Sequence, residues 1–245
     1  MNPIGTLKIL RRYPVKSMKG EDLPEAFVAY AGLAGDRVYA FVDPEKKTNF
    51  PWLTARQVSE MILFEPRFIS PSPGDVHYPG LEQYIVMVKS PEGQEYRVDD
   101  PKFHEWLQTR WNRPFALRFS ERGMQDSHPV SILGLESVKA LGQEVGAELD
   151  HRRFRANFYV EWNHPESAYY EDQLLGKTLH IGEKLQVQIT KKDTRCVIVN
   201  LDPATSEANP GVLKTVGQKH GGCIGVYAAV LREGLVRAGD EIRLA

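Results

Sequence analysis

Short runs of strand-forming residues dominate the hydrophobic pattern of the chain. The runs are rich in Val, Ile, Phe and Tyr, which favour the pleated, half-buried surface of a sheet. Pro and Gly between the runs supply turns, as in residues 70–75 and 91–93. The pattern therefore predicts a mainly β protein in which barrels are the expected architecture. The predicted strands are Thr6–Val15, Val38–Val42, Met61–Ile69, Tyr84–Val88, Phe115–Phe119, Phe154–Val160, Leu185–Ile189, Cys196–Leu201, Cys223–Val230 and Glu241–Leu244.

Two segments have helical spacing instead. Asp100 can cap a helix that has Pro101 at its first position. A second helix is predicted to open near Ser131 and to end at Gly146, because apolar residues recur every three or four positions across residues 135–145. The fold class is therefore mainly β (α+β), with few helices among the strands.

A polar stretch near the middle of the chain marks the candidate domain boundary. The length of 245 residues lies between the sizes expected for one large domain and for two small ones. Residues 120–129 are polar and stand between the predicted strand Phe115–Phe119 and the second predicted helix. We therefore predict two domains, residues 1–120 and residues 121–245.

The charges of the chain nearly cancel. Lys and Arg number 31 and Asp and Glu number 32, which gives a formal net charge of -1. No overall field attracts nucleic acid or anionic lipid, so we expect no nucleic-acid partner. No stretch approaches the roughly 18 apolar residues that span a bilayer, and the first residues lack the pattern of a signal peptide. We expect a cytoplasmic protein without a membrane span, in which reducing conditions keep thiols free.

The chain has only 2 cysteines, which excludes a disulfide scaffold, a four-cysteine zinc site and an internal four-thiolate iron–sulfur cluster. In an extended segment, Thr194 and Cys196 share one face and Arg195 takes the other. A thiol near several arginines ionises more readily and can act as a metal ligand or a nucleophile. The alternative is that Cys196 is an inert buried residue. Cys223 lies among apolar residues and is interpreted as part of the core.

Two turns in the first half of the chain offer groups that bind anions. Residues 13–20 place Lys16 and Ser17 beside backbone amides at the end of a predicted strand, and this combination suits phosphate. A glycine-containing turn ends in Arg37, whose planar guanidinium can bind phosphate or carboxylate. The alternatives are a solvated basic turn around the lysines and a turn in which Asp36 and Arg37 pair with neighbouring charges.

A third basic segment lies in the second half of the chain, at residues 151–158. Strand alternation predicts that Arg153, Arg155 and Asn157 share one face and that Phe154 takes the other, so one ligand can contact all three polar residues. An outward-facing polar edge strand is the alternative. The chain has no HExxH, GxSxG, GxxxxGK[ST] or GxGxxG motif to support a zinc hydrolase, a serine hydrolase or a nucleotide-binding loop.

Six short motifs follow one another along the chain. They are YPVKSMKG (13–20), GLAGDR (32–37), TAR (54–56), RFRAN (153–157), RCVIVNLDPAT (195–205) and GVYAAVLREGLVRAGDEI (225–242). In this order they resemble the motifs of the MOSC family, including the extra N-terminal β-barrel domain of the mitochondrial amidoxime-reducing component and its bacterial relatives. The resemblance implies a MOSC-type β-barrel preceded by a smaller β-barrel-like N-terminal domain.

The resemblance also implies that the chain binds a molybdenum cofactor, molybdopterin. The implied cofactor-binding residues are Lys16, Ser17 and Arg37 around the phosphate, Arg155, Asn157 and Thr194 on the pterin side, and Ser137 at the start of a helix. Cys196 is implied as the thiolate that ligates the metal and as the catalytic residue, and molybdenum is a metal for which a soft thiolate is suited. The chain departs from the family pattern at Met18, Ala156 and Ser206, where Cys, Pro and Gly are often found.

The function implied by the resemblance is a molybdenum-dependent oxidoreductase that removes an oxygen from a small N-hydroxylated substrate. Its two electrons must come from a separate donor protein, because two cysteines cannot ligate an iron–sulfur cluster in this chain. One alternative is a sulfur carrier that uses a persulfide on Cys196. Another is a non-catalytic module that binds or shuttles molybdopterin.

Overall fold

The computed structural model describes residues 2–69, 80–164 and 168–245, and the turn predicted at residues 70–75 lies outside the described residues. The chain forms two compact units, each assembled from separate stretches of sequence. The barrel unit comprises Met1–Arg11, Asp22–Ala34 and Asp126–Ala245, and the second unit comprises Arg12–Glu21 and Gly35–Gln125. The predicted domains, residues 1–120 and 121–245, divide the early part of the chain differently, and the boundary near residue 120 stays a prediction.

Strands make up most of the regular structure. They are β1 (Gly5–Arg12), β2 (Glu21–Leu23), β3 (Glu25–Ala29), β4 (Gly32–Leu33), β5 (Tyr39–Val42), β6 (Trp52–Leu53), β7 (Glu65–Phe68), β8 (Val86–Lys89), β9 (Glu95–Arg97), β10 (Ala116–Phe119), β11 (Val130–Gly134), β12 (Phe158–Trp162), β13 (Thr178–Ile181), β14 (Leu185–Thr194), β15 (Cys223–Arg232), β16 (Gly234–Arg237) and β17 (Glu241–Leu244).

The helices are few and short, as the sequence predicts. They are α1 (Pro101–Trp111), α2 (Leu135–Val145) and α3 (Pro210–His220), with 3-10 segments at Ser59–Leu63, Leu81–Tyr84, His151–Phe154, Tyr170–Leu174 and Val197–Asn200. Within the described residues, no helix combines the length and the apolar character that crossing a membrane requires.

Seven strands of the barrel unit close into a barrel. Their order is β12-β11-β15-β14-β13-β17-β1, and β1 pairs with β12 to complete the ring. The β11–β12 pair is parallel, whereas the other neighbours in the ring are antiparallel. A closed ring leaves none of these strands with an unpaired edge. The predicted mainly β barrel fold is therefore confirmed.

Alternating apolar residues fill the barrel. In β14, for example, Leu185, Val187 and Ile189 are buried, while the residues between them are partly exposed. Strand residues two positions apart share a face, so this alternation places one side of each strand in a common core. On the outer face of β11 and β12, α2 and α3 bury a second cluster that includes Leu141 and Val216.

A buried carboxylate fixes the junction between β11 and α2. Glu171 accepts hydrogen bonds from the backbone N–H of Gly134 at 3.2 Å and from Trp162 Nε1 at 3.1 Å. The Ser137 hydroxyl, in the first turn of α2, also bonds to this carboxylate. Burial raises the pKa of Glu171 above its ordinary value, and these three hydrogen bonds, together with one from the backbone of Glu171 itself, only partly oppose that rise.

The second unit contains two antiparallel sheets and α1. The sheets have the strand orders β10-β5-β6 and β7-β8-β9. Aromatic rings form much of the core, with Phe41 in contact with Phe115 at 4.6 Å and with Trp111 at 5.6 Å between ring centroids. As predicted, α1 begins at Pro101, and the Asp100 carboxylate caps it by accepting the Lys102 N–H at 2.9 Å.

Several predicted elements differ from the structure, and the differences concern the candidate site. The second helix begins at Leu135 rather than near Ser131, because Ser131 pairs within β11. Val197–Asn200, within the predicted strand Cys196–Leu201, forms a 3-10 segment rather than a strand. Residues 151–154 are also 3-10, and Arg155 is left-handed. The shared face that strand alternation gave to Arg153, Arg155 and Asn157 was therefore wrong, whereas the shared face of Thr194 and Cys196 stays a prediction, because Cys196 is still extended.

Helix α3 was missed, although its start carries a recognisable signal. Asn209 caps the helix through a bond from the Gly211 N–H to its Oδ1 at 3.0 Å, and Pro210 occupies the first helical position. Such an Asn-Pro pair marks a helix start when an apolar periodicity follows. Val212 and Val216, one turn apart, are the buried residues of that face.

A tight turn follows the 3-10 segment Val197–Asn200. Asp202 Oδ1 accepts the N–H groups of Ala204 at 2.9 Å and Thr205 at 3.3 Å, and the Ser206 N–H donates to the Asp202 carbonyl at 2.8 Å. Ser206 has a φ of 61°, a left-handed conformation that costs a residue with a Cβ about 1 kcal/mol relative to glycine. This explains physically why glycine suits the position.

We predict that Ser206→Gly stabilises the barrel unit by about 0.5–1 kcal/mol, because it relieves the left-handed strain. Urea unfolding at neutral pH measures the change. Ala204→Gly, in the same turn but without a positive φ, is the matched control and should lose stability. A loss of stability in both variants would contradict the explanation.

We also predict that Glu171 makes stability fall as pH rises. A carboxyl whose folded pKa is raised stabilises the fold fully below its ordinary pKa of 4.5, and that contribution is lost as pH rises through the folded pKa. The difference in unfolding free energy between the wild type and Glu171→Gln should therefore shrink from pH 5 to pH 8. The slope is at most about 1.4 kcal/mol per pH unit. Denaturant unfolding at several pH values measures it, with Glu161→Gln, an exposed carboxylate, as the control. A constant difference would count against this role.

Candidate functional site

The turn after β1 carries two of the predicted phosphate-binding residues. Lys16 is only 5% exposed, and its Nζ donates to the Met124 carbonyl at 2.6 Å. The ring centroids of Trp52 and Phe50 lie 5.6 and 5.8 Å from the same Nζ. Ser17 is 4% exposed and has a φ of 68°. The turn is therefore an ordered, buried structure, and the alternative of a solvated basic turn is wrong.

Arg37 is held against this turn within the second unit. Its N–H donates to the Tyr13 carbonyl at 2.6 Å, and its guanidinium lies 4.6 Å from the centroid of the Tyr13 ring. Asp36, which is buried, pairs with the Arg37 guanidinium and accepts the Tyr13 N–H at 2.8 Å. Both residues therefore meet a neighbouring charge, as the alternative expects, and that charge is each other's. The same pair also brings Arg37 next to the segment that carries Lys16.

Cys196 lies where β14 leaves the barrel. The pairing of β14 with β15 shifts register between Ile189 and Lys191 and again between Lys192 and Thr194. Such bulges re-aim side chains and are frequent beside functional sites. Cys196 is half-buried at the start of the 3-10 turn and is followed by Val197, which is 45% exposed. The thiol is therefore not enclosed in the apolar core.

Thr194 and Cys223 stand opposite each other at this end of the barrel. They are register partners of β14 and β15, and Thr194 Oγ1 lies 3.6 Å from Cys223 Sγ. Cys223 is half-buried, so its assignment to the core was wrong. Cys223 is the first residue of β15 and lies at the end of the barrel, whereas the three residues after it are buried. The apolar sequence does not show where along the strand burial begins.

The segments that carry Arg155 and Cys196 are bound to each other. Arg195 Nη1 donates to the Phe154 carbonyl at 2.7 Å, so the residues that precede Cys196 and Arg155 are in direct contact. Arg153 is buried and donates from Nη1 to the Asn200 carbonyl at 2.8 Å. The structure therefore brings Arg155, Thr194 and Cys196 to one end of the barrel unit.

Asn157 ties three barrel strands together. Its Oδ1 accepts hydrogen bonds from the backbone N–H and the hydroxyl of Ser131 at 3.2 and 3.1 Å, and its Nδ2 donates to the Arg11 carbonyl at 3.3 Å. The side chain is 2% exposed. Its structural role is evident, and its contact with a cofactor stays a prediction.

Ser137 is also engaged inside the protein. Its Oγ accepts the Tyr169 N–H at 3.1 Å, and its hydroxyl bonds to the buried carboxylate of Glu171. Ser137 is only 1% exposed, and its contact with a cofactor stays a prediction. The sequence showed no link between Ser137 and Glu171, because the two residues meet only through the barrel topology.

Left-handed backbone occurs at three of the predicted cofactor-binding positions, Ser17, Arg37 and Arg155. Among the described residues, the non-glycine residues with positive φ are Ser17, Arg37, Asn112, Arg155, Tyr169 and Ser206. Asn112 ends α1, Arg155 ends the 3-10 segment His151–Phe154 and Tyr169 precedes another 3-10 segment, so these three conformations have a local explanation, whereas Ser17 and Arg37 lie in turns. Strained backbone persists only when the surrounding structure enforces it, and it clusters at binding sites.

The available donor groups fit a phosphorylated cofactor that carries its own metal ligands. Lys16, Ser17 and Arg37 combine two cations with a hydroxyl within the second unit, which suits a dianionic phosphate. In the part of the chain that the structure describes, no group of three or more His, Cys, Asp or Glu side chains is placed to hold a metal ion. A metal at Cys196 would therefore have one protein thiolate and would depend on ligands supplied by the cofactor.

The residues that organise the site were harder to find from the sequence than those that carry the chemistry. Arg195 and Asp193 form an ion pair at 2.8 Å, and both are buried. Opposite charges two positions apart on a strand share a face, so the sequence did contain a signal for this pair. The partners of Arg195 on other segments carry no such signal.

Comparisons with known proteins agree with this architecture. The MOSC domain profile matches residues 120–243, and the MOSC N-terminal beta barrel domain profile matches residues 4–111. No curated protein matches the chain in sequence. The crystal structure of the YUAD protein from Bacillus subtilis has a TM-score of 0.53 at 13% identity, over 97% of this chain and 93% of that one, which shows a shared fold.

Two shorter similarities involve YiiM proteins. Each covers 48% of this chain and 54% of the YiiM chain. The protein from Geobacillus stearothermophilus is 21% identical with a TM-score of 0.38, and the protein from Escherichia coli is 16% identical with a TM-score of 0.35. The profile matches extend over nearly the whole chain. The chain therefore belongs to the MOSC family, whose MOSC domain is generally a domain that binds the molybdenum cofactor.

Proposed function

We propose that the chain is a molybdenum-cofactor-dependent oxidoreductase that reduces small N-hydroxylated compounds. In the overall reaction the substrate takes up two electrons and two protons, its N–O bond breaks, and water leaves. The electrons come from a separate donor protein, because the chain has only 2 cysteines and cannot ligate an iron–sulfur cluster of its own. The proposal places the protein in the cytoplasm, where reducing conditions keep Cys196 available.

The observation that carries the proposal is the left-handed backbone at Ser17, Arg37 and Arg155. All three are positions that the family resemblance assigns to the cofactor. Each costs about 1 kcal/mol or more in strain, which glycine would avoid at the same position. We infer that these residues keep their side chains because the side chains bind a ligand.

In the second unit, the proposed role is to hold the phosphate. Lys16 and Arg37 contribute positive charge and Ser17 contributes a hydroxyl. Both cations are already fixed by neighbours, Lys16 by the Met124 carbonyl and Arg37 by Asp36. Fixed donors lose little side-chain entropy on binding, which favours affinity for an anion.

In the barrel unit, the proposed roles are to contact the pterin and to ligate the metal. Arg155 and Thr194 lie at the end of the barrel that carries Cys196. Asn157, directly before β12, and Ser137, in the first turn of α2, are buried. The bound cofactor would supply the two-electron redox chemistry. The half-buried Cys196 offers a soft sulfur ligand.

We predict that Cys196→Ser abolishes both metal content and reductase activity, whereas Cys223→Ser keeps both. The two thiols lie at the same end of the barrel and are half-buried, so Cys223→Ser is a matched control. Loss of a direct metal ligand should lower metal retention by more than roughly a hundredfold, because loss of a supporting residue alone costs ten- to a hundredfold. The measurements are molybdenum per chain after expression in a molybdenum-replete host and benzamidoxime reduction by a reduced donor.

The outcomes of this experiment separate the possible functions. A protein that stays metal-free and inactive after cofactor reconstitution would overturn the proposal. Bound molybdenum without turnover under any donor would indicate a binding or shuttle module. A persulfide mass on Cys196 after incubation with a cysteine desulfurase, without bound metal, would indicate a sulfur carrier.

A further inference from the structure

Arg195 is a buried cation that the proposed function does not use. Its side chain is 7% exposed, and Asp193, itself buried, balances its charge at 2.8 Å. The guanidinium lies 5.5 Å from the centroid of the Phe154 ring. A charge-neutral buried pair with further hydrogen bonds is organised locally, and removing one partner would leave the other charge uncompensated.

The guanidinium joins three segments of the barrel unit. Nη1 donates to the Phe154 carbonyl at 2.7 Å, while Nε and Nη2 donate to the Ile224 carbonyl at 2.8 and 2.5 Å. The Arg195 N–H also donates to the Gly222 carbonyl at 2.8 Å. Arg195, which directly precedes Cys196, therefore connects its own segment to Phe154, the residue before Arg155, and to Ile224 at the start of β15.

β15 leaves room for this side chain. Gly225 has a φ of +77°, and a Cβ at this position would lie 2.8 Å from the Ile132 carbonyl oxygen and 3.2 Å from Arg195 Nη2. A larger residue would push against the guanidinium and against β11. The glycine is thus the complement of Arg195 in the strand.

Arg153 fixes the other end of the same segment. It donates to the Asn200 carbonyl at 2.8 Å and pairs with Asp202 at 2.7 Å. The 3-10 turn that starts at Cys196 is therefore held at both ends by contacts with the segment that ends at Arg155. Of the two arginines, Arg195 is adjacent to the thiol and reaches β15 as well.

We propose that Arg195 is a positioning residue, which sets the orientation of the Cys196 thiol and of Arg155 by binding the Phe154 and Ile224 carbonyls simultaneously. The consequence for metal binding rests on the proposed function, whereas the consequence for the thiol does not. Lysine cannot replace arginine here, since one ammonium cannot reproduce the planar fork that reaches both carbonyls and Asp193. The site requires the shape of the guanidinium as well as its positive charge.

The test uses Arg195→Lys in the full chain and measures alkylation of Cys196 by iodoacetamide, followed by peptide mass spectrometry. Cys196 should react about tenfold faster than in the wild type, because the charge-assisted hydrogen bonds that restrain the segment around the half-buried thiol are lost. Hydrogen exchange should increase in residues 153–157 and 195–201. Molybdenum per folded chain should fall by roughly tenfold or more, as for other residues that orient a metal ligand.

Ile181→Val is the control for a general loss of stability. Ile181 is fully buried in β13 and pairs with Leu185, at the opposite end of β14 from Thr194. If Arg195→Lys lowers the melting temperature as Ile181→Val does, but Cys196 alkylation matches the control, Arg195 has only a structural role and the proposal is overturned.

A second variant covers the case in which Arg195→Lys does not fold. Asp193→Asn keeps the guanidinium and its carbonyl contacts but removes the ion pair, and it should accelerate Cys196 alkylation in the same direction by a smaller factor. Unchanged alkylation in every folded variant of the pair would overturn the proposal. Faster alkylation in a protein whose wild type never binds molybdenum would support the positioning role and reject the proposed oxidoreductase function.

Discussion

Closure of the barrel by β1 is the constraint on which the rest of the structure depends. β1 pairs with β12 on one side and with β17 on the other. The first strand of the chain therefore completes a ring whose other strands all come from the second half of the chain, after residue 129. Asn157 reinforces this closure by bonding to Ser131 and to the Arg11 carbonyl. Because β1 must lie in the ring, the chain has to leave the barrel unit and return to it, and neither unit is continuous in sequence.

The ends of the barrel strands generate the candidate chemistry. Inside the ring, hydrogen bonding and alternation leave little freedom, and the residues there are mostly apolar. Where β14 ends, register shifts turn Asp193 inward and leave Thr194 exposed, and the chain then enters a short 3-10 turn at Cys196. Polar groups buried at such an end need partners, and Arg195 and Arg153 provide them from adjacent segments. The groups that fix the site are therefore the same groups that satisfy the backbone there.

The sequence predicted the strands and the chemistry better than the local geometry. Glu241–Leu244 coincides with β17, and α1 begins at Pro101 as predicted, because alternation and capping are local signals. Residues 154–157 looked like a strand since Phe, Arg and Asn alternate there. They turn where Arg195, 41 residues further along the chain, binds the Phe154 carbonyl, and the nearby Tyr159 hydroxyl accepts the Ala156 N–H. A partner that arrives from a distant part of the chain leaves no trace in a local pattern.

The two cysteines show where this difference matters for function. Their exposure is similar, and their strand and turn lie at the same end of the barrel. Cys223 occupies a ladder position in β15, where its Sγ lies near Thr194 Oγ1. Cys196 instead follows the last ladder residues of β14, on a turn whose ends are held by two buried arginines. A thiol on a turn that side-chain hydrogen bonds hold in place can point toward a ligand without disturbing the backbone pairing of β14 with β15. A thiol within the ladder must keep the direction that the pleat gives it.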